Sequence, residues 1–150
     1  MIFRRVSVAA LLTVGLILCF GVGYKVFRER KRQATARKLF CMSEQGLNRL
    51  RDAFNGDACS AIYEDASGGF RRAVARPQWL AQCESLRTDL GMWRSSMVRL
   101  YETPVRHSAS FAQLEGQAYF AQGEFQLVSW WFVENGRAEL VSLRLSNQAK

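Results

Sequence analysis

Histidine and proline are nearly missing from these 150 residues: there is one His, His107, and there are two prolines, Pro77 and Pro104. So few prolines exclude long proline-rich or disordered linkers. A lone histidine with no cysteine or acidic partner beside it cannot build a metal site of ordinary ligand count, so His107 reads as a solvated loop residue between Thr103 and Ser108. The four cysteines include no CxxC pair, which weakens zinc and thioredoxin-like readings. Internal repeats and low-complexity tracts are also absent. So is any basic stripe interleaved with aromatics, the mark of a nucleic-acid surface. The formal net charge of +8 does not restore that reading. Residues 1–32 hold seven Lys or Arg against one Glu, whereas residues 33–150 hold fourteen against twelve Asp or Glu. The excess therefore belongs to the N-terminal segment, and the remainder is close to neutral. No nucleic acid is expected as a partner, and nothing in the sequence calls for a cofactor.

What the chain does have is a long apolar run, the 22 residues from Val6 to Phe27, uncharged from Val6 through Tyr24. At about 1.5 Å rise per residue, a helix of that length covers the roughly 30 Å core of a bilayer. Arg4 and Arg5 precede it, and Lys25, Arg28, Arg30, Lys31 and Arg32 close it, placed to contact anionic lipid headgroups. An uncleaved transmembrane anchor is the preferred reading. A removable signal has a shorter apolar core, of about 7–15 residues, and a small-residue cleavage site. Gly21-Val22-Gly23 is the only such candidate here, and arginines follow it. A lipoprotein reading of Cys19 is weakened by Leu18 before it, and a buried core helix of this length would show a polar face. Orientation is contradictory. The basic residues after the span favour a cytoplasmic domain, yet a short basic tail such as residues 1–5 also stays inside readily and sends the domain out.

The expected organisation is a basic tail (1–5), an anchor (6–27), a basic juxtamembrane helix or linker (28–37), a globular domain (38–146) and a C-terminal tail (147–150). The first half of the domain reads as helical. Phe40, Leu47, Leu50 and Phe54 recur at helical spacing within 34–54, and this helix has no breaker separating it from the anchor. Asn55-Gly56 ends it, and Asp57 is placed to cap a second helix that buries Ile62, Tyr63 and Ala66. Ser67-Gly68-Gly69 stops the second helix, and Phe70 to Ala75 is a connector or short helical piece. A third helix starts at Pro77, buries Leu80, Cys83, Leu86 and Leu90, and is capped by Gly91. The second half reads as four strands, near 92–101, 111–120, 124–134 and 137–146. Asn135-Gly136 between the last two is a strong hairpin signal. The strand through Trp130 and Trp131 is apolar on both faces, which places it centrally in the sheet. Helices followed by an antiparallel meander define an α+β class, with about three helices packed on a curved sheet of about four strands.

Three stretches carry a resemblance: the Ala61-Ile62-Tyr63 helix leading to Phe70-Arg71, the helix end from Leu86-Arg87 to Leu90-Gly91, and the hairpin around Trp130-Trp131 and Asn135-Gly136. Over residues 40–146 the chain resembles the cystatin-like or NTF2-like roll, and more narrowly small bacterial envelope domains with that fold. The resemblance implies the bacterial inner membrane, with the domain on the periplasmic side. It leaves function open, because such rolls serve as enzymes, ligand binders and assembly modules.

Residue chemistry favours a non-catalytic role. Glu115 and Glu139 alternate with apolar neighbours and are expected on the outer face of the sheet. Tyr63, Glu64 and Asp65 are adjacent on a helix and therefore diverge. Cys19 lies in the apolar run as a small apolar residue. Cys59 and Cys83 are able to pair if the second and third helices pack together, leaving Cys41 free; three reduced, buried thiols are the other reading. Phe120, Leu127, Trp130 and Trp131 read first as core packing, and as a ligand or partner surface second. The leading expectation is a membrane-tethered binding or assembly accessory domain that meets a protein partner or a second copy of itself. The alternatives are a lipid or other apolar ligand held in the cone of the roll, and an enzyme on the same scaffold.

Overall fold

The helical half of the chain stops at Gly91, and the strand half starts two residues later. The structure, a computed structural model, describes the backbone of residues 3–101, 105–106 and 109–147, and the side chains of 27–101 and 110–147. The chain divides into two compact units, Met1–Arg37 and Lys38–Lys150. Helix α1 (Phe3–Asn55) is 53 residues long and uninterrupted. The side chains of the apolar run before Phe27 lie outside the described residues. Among the described residues, no helix is long and apolar enough to cross a membrane.

From Lys38 onward α1 is amphipathic. Its buried stripe is Leu39, Ser43, Gly46, Leu47, Leu50 and Phe54. The expected position Phe40 is only half-buried, and Leu39 takes the inward place. The small residues Ser43 and Gly46 set this phase by allowing close approach to the sheet. Asp57 does not cap the next helix. It occupies a left-handed turn (φ 62) and its carboxylate pairs with Arg87, while Ala58 stands at the N-cap of α2 (Cys59–Asp65) without a side-chain bond. Ile62, Tyr63 and Ala66 are buried. Ser67 does more than end α2. Its hydroxyl accepts from the Phe70 amide at 3.2 Å and so caps α3 (Gly68–Ala73). Helix α4 (Arg76–Leu90) has Pro77 in its first turn, and Gly91 closes it at φ 68, its amide donating to the Arg87 carbonyl at 2.9 Å. Trp79, not expected inside, is buried and donates from Nε1 to the Cys59 carbonyl at 2.8 Å, whereas Leu80 and Leu86 are only partly buried.

The strands are β1 (Trp93–Tyr101), β2 (Val105–Arg106), β3 (Ala109–Phe120), β4 (Gly123–Glu134) and β5 (Arg137–Asn147). They form one open antiparallel sheet in the order β1-β3-β4-β5, and the two-residue β2 pairs with β3 in line with β1. Asn135 (φ 50) and Gly136 (φ 81) have the positive dihedrals of the tight turn that joins β4 to β5. A bulge between Trp130 and Trp131 leaves Val141 of β5 without a partner on β4. The fold is α+β. The helices bury one sheet face, where Leu114, Leu127, Trp131 and Leu140 meet Leu47, Leu50 and Phe54 of α1 and Ile62 of α2. Phe54, Trp93 and Phe120 pack ring against ring, with centroids 5.2–6.1 Å apart. Beside them the Asn55 amide brackets Trp93, accepting from its N–H at 2.8 Å and donating to its carbonyl at 2.9 Å.

Candidate functional site

The four residues read as core packing or as a ligand or partner surface fall on opposite sides of the sheet. Phe120, Leu127 and Trp131 are 4%, 0% and 2% exposed and belong to the core. Trp130 alone points the other way and is half-exposed. In a pleated strand, neighbours alternate between faces, so adjacent tryptophans cannot share one.

Among the described residues, the space beside Phe120, Leu127 and Trp131 shows only small voids. Between Phe54, Ile62, Trp79, Trp93 and Phe120 a void of about 10 Å³ remains, which is hardly room for one water. A second pocket of about 60 Å³ lies among Gly46, Arg49, Ala61, Asp65, Trp131 and Leu140. Both are far below the roughly 300 Å³ at which small-molecule sites begin. Arg49 at this pocket is already engaged, donating from Nη2 to the Ala138 carbonyl at 3.0 Å.

Trp131 is held from both sides. Its Nε1 donates to the fully buried Ser129 hydroxyl at 3.0 Å, and its ring lies against Gly46 of α1. A Cβ at Gly46 would stand 2.6 Å from Cζ3 and 2.9 Å from Cε3 of that indole. Gly46→Ala gains about 1 kcal/mol of helix propensity but forces a rigid, buried ring to move, at about 1–3 kcal/mol. The expected balance is a loss of about 1 kcal/mol in urea unfolding; an unchanged or raised midpoint would show that the helix shifts freely on the sheet.

The remaining candidates separate. Tyr63 is buried with its hydroxyl at 3.1 and 3.0 Å from the carbonyls of Arg71 and Val74. Glu64 pairs with Arg76 at 3.3 Å, and Asp65 with Arg137 at 2.7 Å, so the three neighbours serve three separate contacts. Cys59 and Cys83 form a disulfide with Cα atoms 6.0 Å apart, joining α2 to α4, and Cys41 is exposed, not buried. Arg28, Arg30, Lys31 and Arg32 are exposed along α1. The side chains of Lys25 and Cys19, and all of His107, lie outside the described residues. Among the described residues, no three His, Cys, Asp or Glu gather as metal ligands would.

By sequence alone, Glu115 and Glu139 are placed on the outer face of the sheet, but the apolar residues of β1 and β3 that share it are not gathered. Met97 and Tyr101 of β1 are 69% and 53% exposed, and Phe111 of β3 is 39% exposed. The Phe111 ring packs on Phe132 of β4 with centroids 5.2 Å apart. Trp130 lies in the neighbouring row, between Gln113 and Ser142. Glu115 and Glu139 share this face, Glu115 between Arg99 and Val128 and hydrogen-bonded by Gln113, Glu139 opposite Phe132. Extending the two-residue alternation from β4 to β1 and β3 would have gathered these residues. No protein-family model matches the chain, and no match is found among the curated proteins.

Proposed function

We propose that this is a membrane-tethered, non-catalytic binding or assembly accessory domain of the bacterial cell envelope. Its N-terminal run anchors it in the inner membrane, and its domain, a cystatin-like or NTF2-like roll, stands on the periplasmic side. The observation that carries the reading is the partition of the chain. An apolar run of 22 residues with a basic flank precedes the nearly neutral residues 33–150, whose helices pack onto one sheet face, the two pockets described there measuring about 10 and 60 Å³. The basic residues Arg28 to Arg32 suit anionic headgroups at the bilayer surface. The Cys59–Cys83 disulfide supports the periplasmic side over the cytoplasmic one, because such bonds persist where the compartment is oxidising. The exposed aromatic face, not the core, offers the contact surface.

A topology reporter fused after Lys150 tests the reading. Activity of a reporter that works only in the periplasm, recovered in the membrane fraction, is expected. Activity only of a cytoplasm-dependent reporter, or release of the fusion as a soluble protein, overturns it. Turnover of a substrate by the purified full chain, abolished by replacing one acidic residue, overturns the non-catalytic part.

A further inference from the structure

Resting on the accessory reading, we propose that the outer face of the sheet is a homodimer interface and that its occupant is a second copy of this chain. The face has the anatomy of an interface. Trp130 sits near its centre, with Tyr101, Phe111 and Phe132 around it, and a polar border of glutamines, serines and charged residues surrounds them. Every described side chain on this face is exposed or half-exposed, whereas the opposite face carries the buried residues Ala112, Leu114, Leu127, Trp131 and Leu140.

Charge selects the occupant. The face carries Arg99, Arg137 and Arg144 against Glu115, Glu124, Glu134 and Glu139, so both signs are present without a basic surplus. A nucleic acid or an anionic membrane demands a basic surplus, which this face lacks. A two-fold contact places the same patch on both partners, and a patch bearing both signs allows arginines such as Arg99 and Arg144 to lie near glutamates of the other copy. Area agrees. Four strands about 4.8 Å apart, with some nine residues rising about 3.4 Å each, give a face of roughly 600 Å². Two stacked faces bury about 1,200 Å² in total, the lower end of stable interfaces.

The test is sedimentation of the full-length protein in density-matched detergent. Wild type is expected to be dimeric at micromolar concentration, and Trp130→Glu to weaken the dimer by about thirtyfold or more. Two charge-reversed variants decide the matter even if Trp130→Glu disturbs folding. Glu115→Lys with Glu139→Lys, and Arg99→Glu with Arg144→Glu, should each be monomeric alone and should pair with one another when mixed. A monomeric wild type overturns the proposal, and so does a dimer that survives every one of these changes, since the contact would then lie elsewhere. Neither result touches the tether or the accessory role, which the reporter and turnover measurements decide separately.

Discussion

Gly116→Val should leave little folded domain. Gly116 lies on β3 opposite Val98 of β1 and Leu127 of β4. A Cβ there would stand 2.8 Å from the carbonyl carbon of Met97 and from the Cα of Val98, and closer still to the Met97 oxygen. These are backbone atoms of a paired strand, and they retreat only if the ladder opens. Overpacking in a core costs about 1–3 kcal/mol, and here the lost strand pairing adds about 1 kcal/mol per hydrogen bond. We expect a loss of about 4 kcal/mol or more, or a melting temperature lower by about 15 °C, since about 4 °C accompanies each kcal/mol in a domain of this size. Thermal unfolding followed by circular dichroism measures it. A variant melting within a few degrees of wild type would mean that β1 is not held over Gly116.

Removing the disulfide should produce the next largest effect. Cys59 and Cys83 are separated by 24 residues. Opening that loop restores unfolded-chain entropy equivalent to about 3.5 kcal/mol. Both sulfurs are buried, so the paired substitution Cys59→Ser with Cys83→Ser also leaves hydroxyls in an apolar setting. Denaturant unfolding with and without reductant is the measurement, with wild type in reductant expected to approach the paired variant. Equal stability of the oxidised and reduced forms would refute a structural role for the bond and weaken the periplasmic reading with it.

Much of the strand half was legible in the sequence because its signals are local. Two-residue alternation and the Asn135-Gly136 turn need no knowledge of what lies across the sheet. The helices were legible in outline but not in phase. Leu39 and Phe40 are both apolar, and the choice between them follows from how α1 seats Gly46 on Trp131, a contact 85 residues distant in sequence. Asp57 reads as a cap, but a left-handed turn and the pull of Arg87 take it elsewhere. Trp79 is not assigned to the inward face by sequence, and the Cys59 carbonyl that takes its Nε1–H lies 20 residues back in the chain. The candidate surface divides for a related reason. Alternation sets Trp130 and Trp131 on opposite faces, but a strand apolar on both faces does not say which face meets the helices. The outer face emerges only when strands distant in sequence are set side by side.

The amide of Asn55 has a consequence for how the protein behaves in concentrated solution. An open sheet ends in strands whose unpaired backbone groups invite further strands to add, the usual start of aggregation. At Trp93 the side chain of Asn55 supplies one acceptor and one donor, as a neighbouring strand would, and then offers nothing beyond them. The final residue of the long helix thus serves as a terminator for the growing edge of the sheet. At the other edge, the Leu140 carbonyl accepts from the Ser67 amide at 2.9 Å. Groups from the helical half thus cover part of each outer strand: Asn55 at Trp93 of β1, and Ser67 and Arg49 at the Leu140 and Ala138 carbonyls of β5.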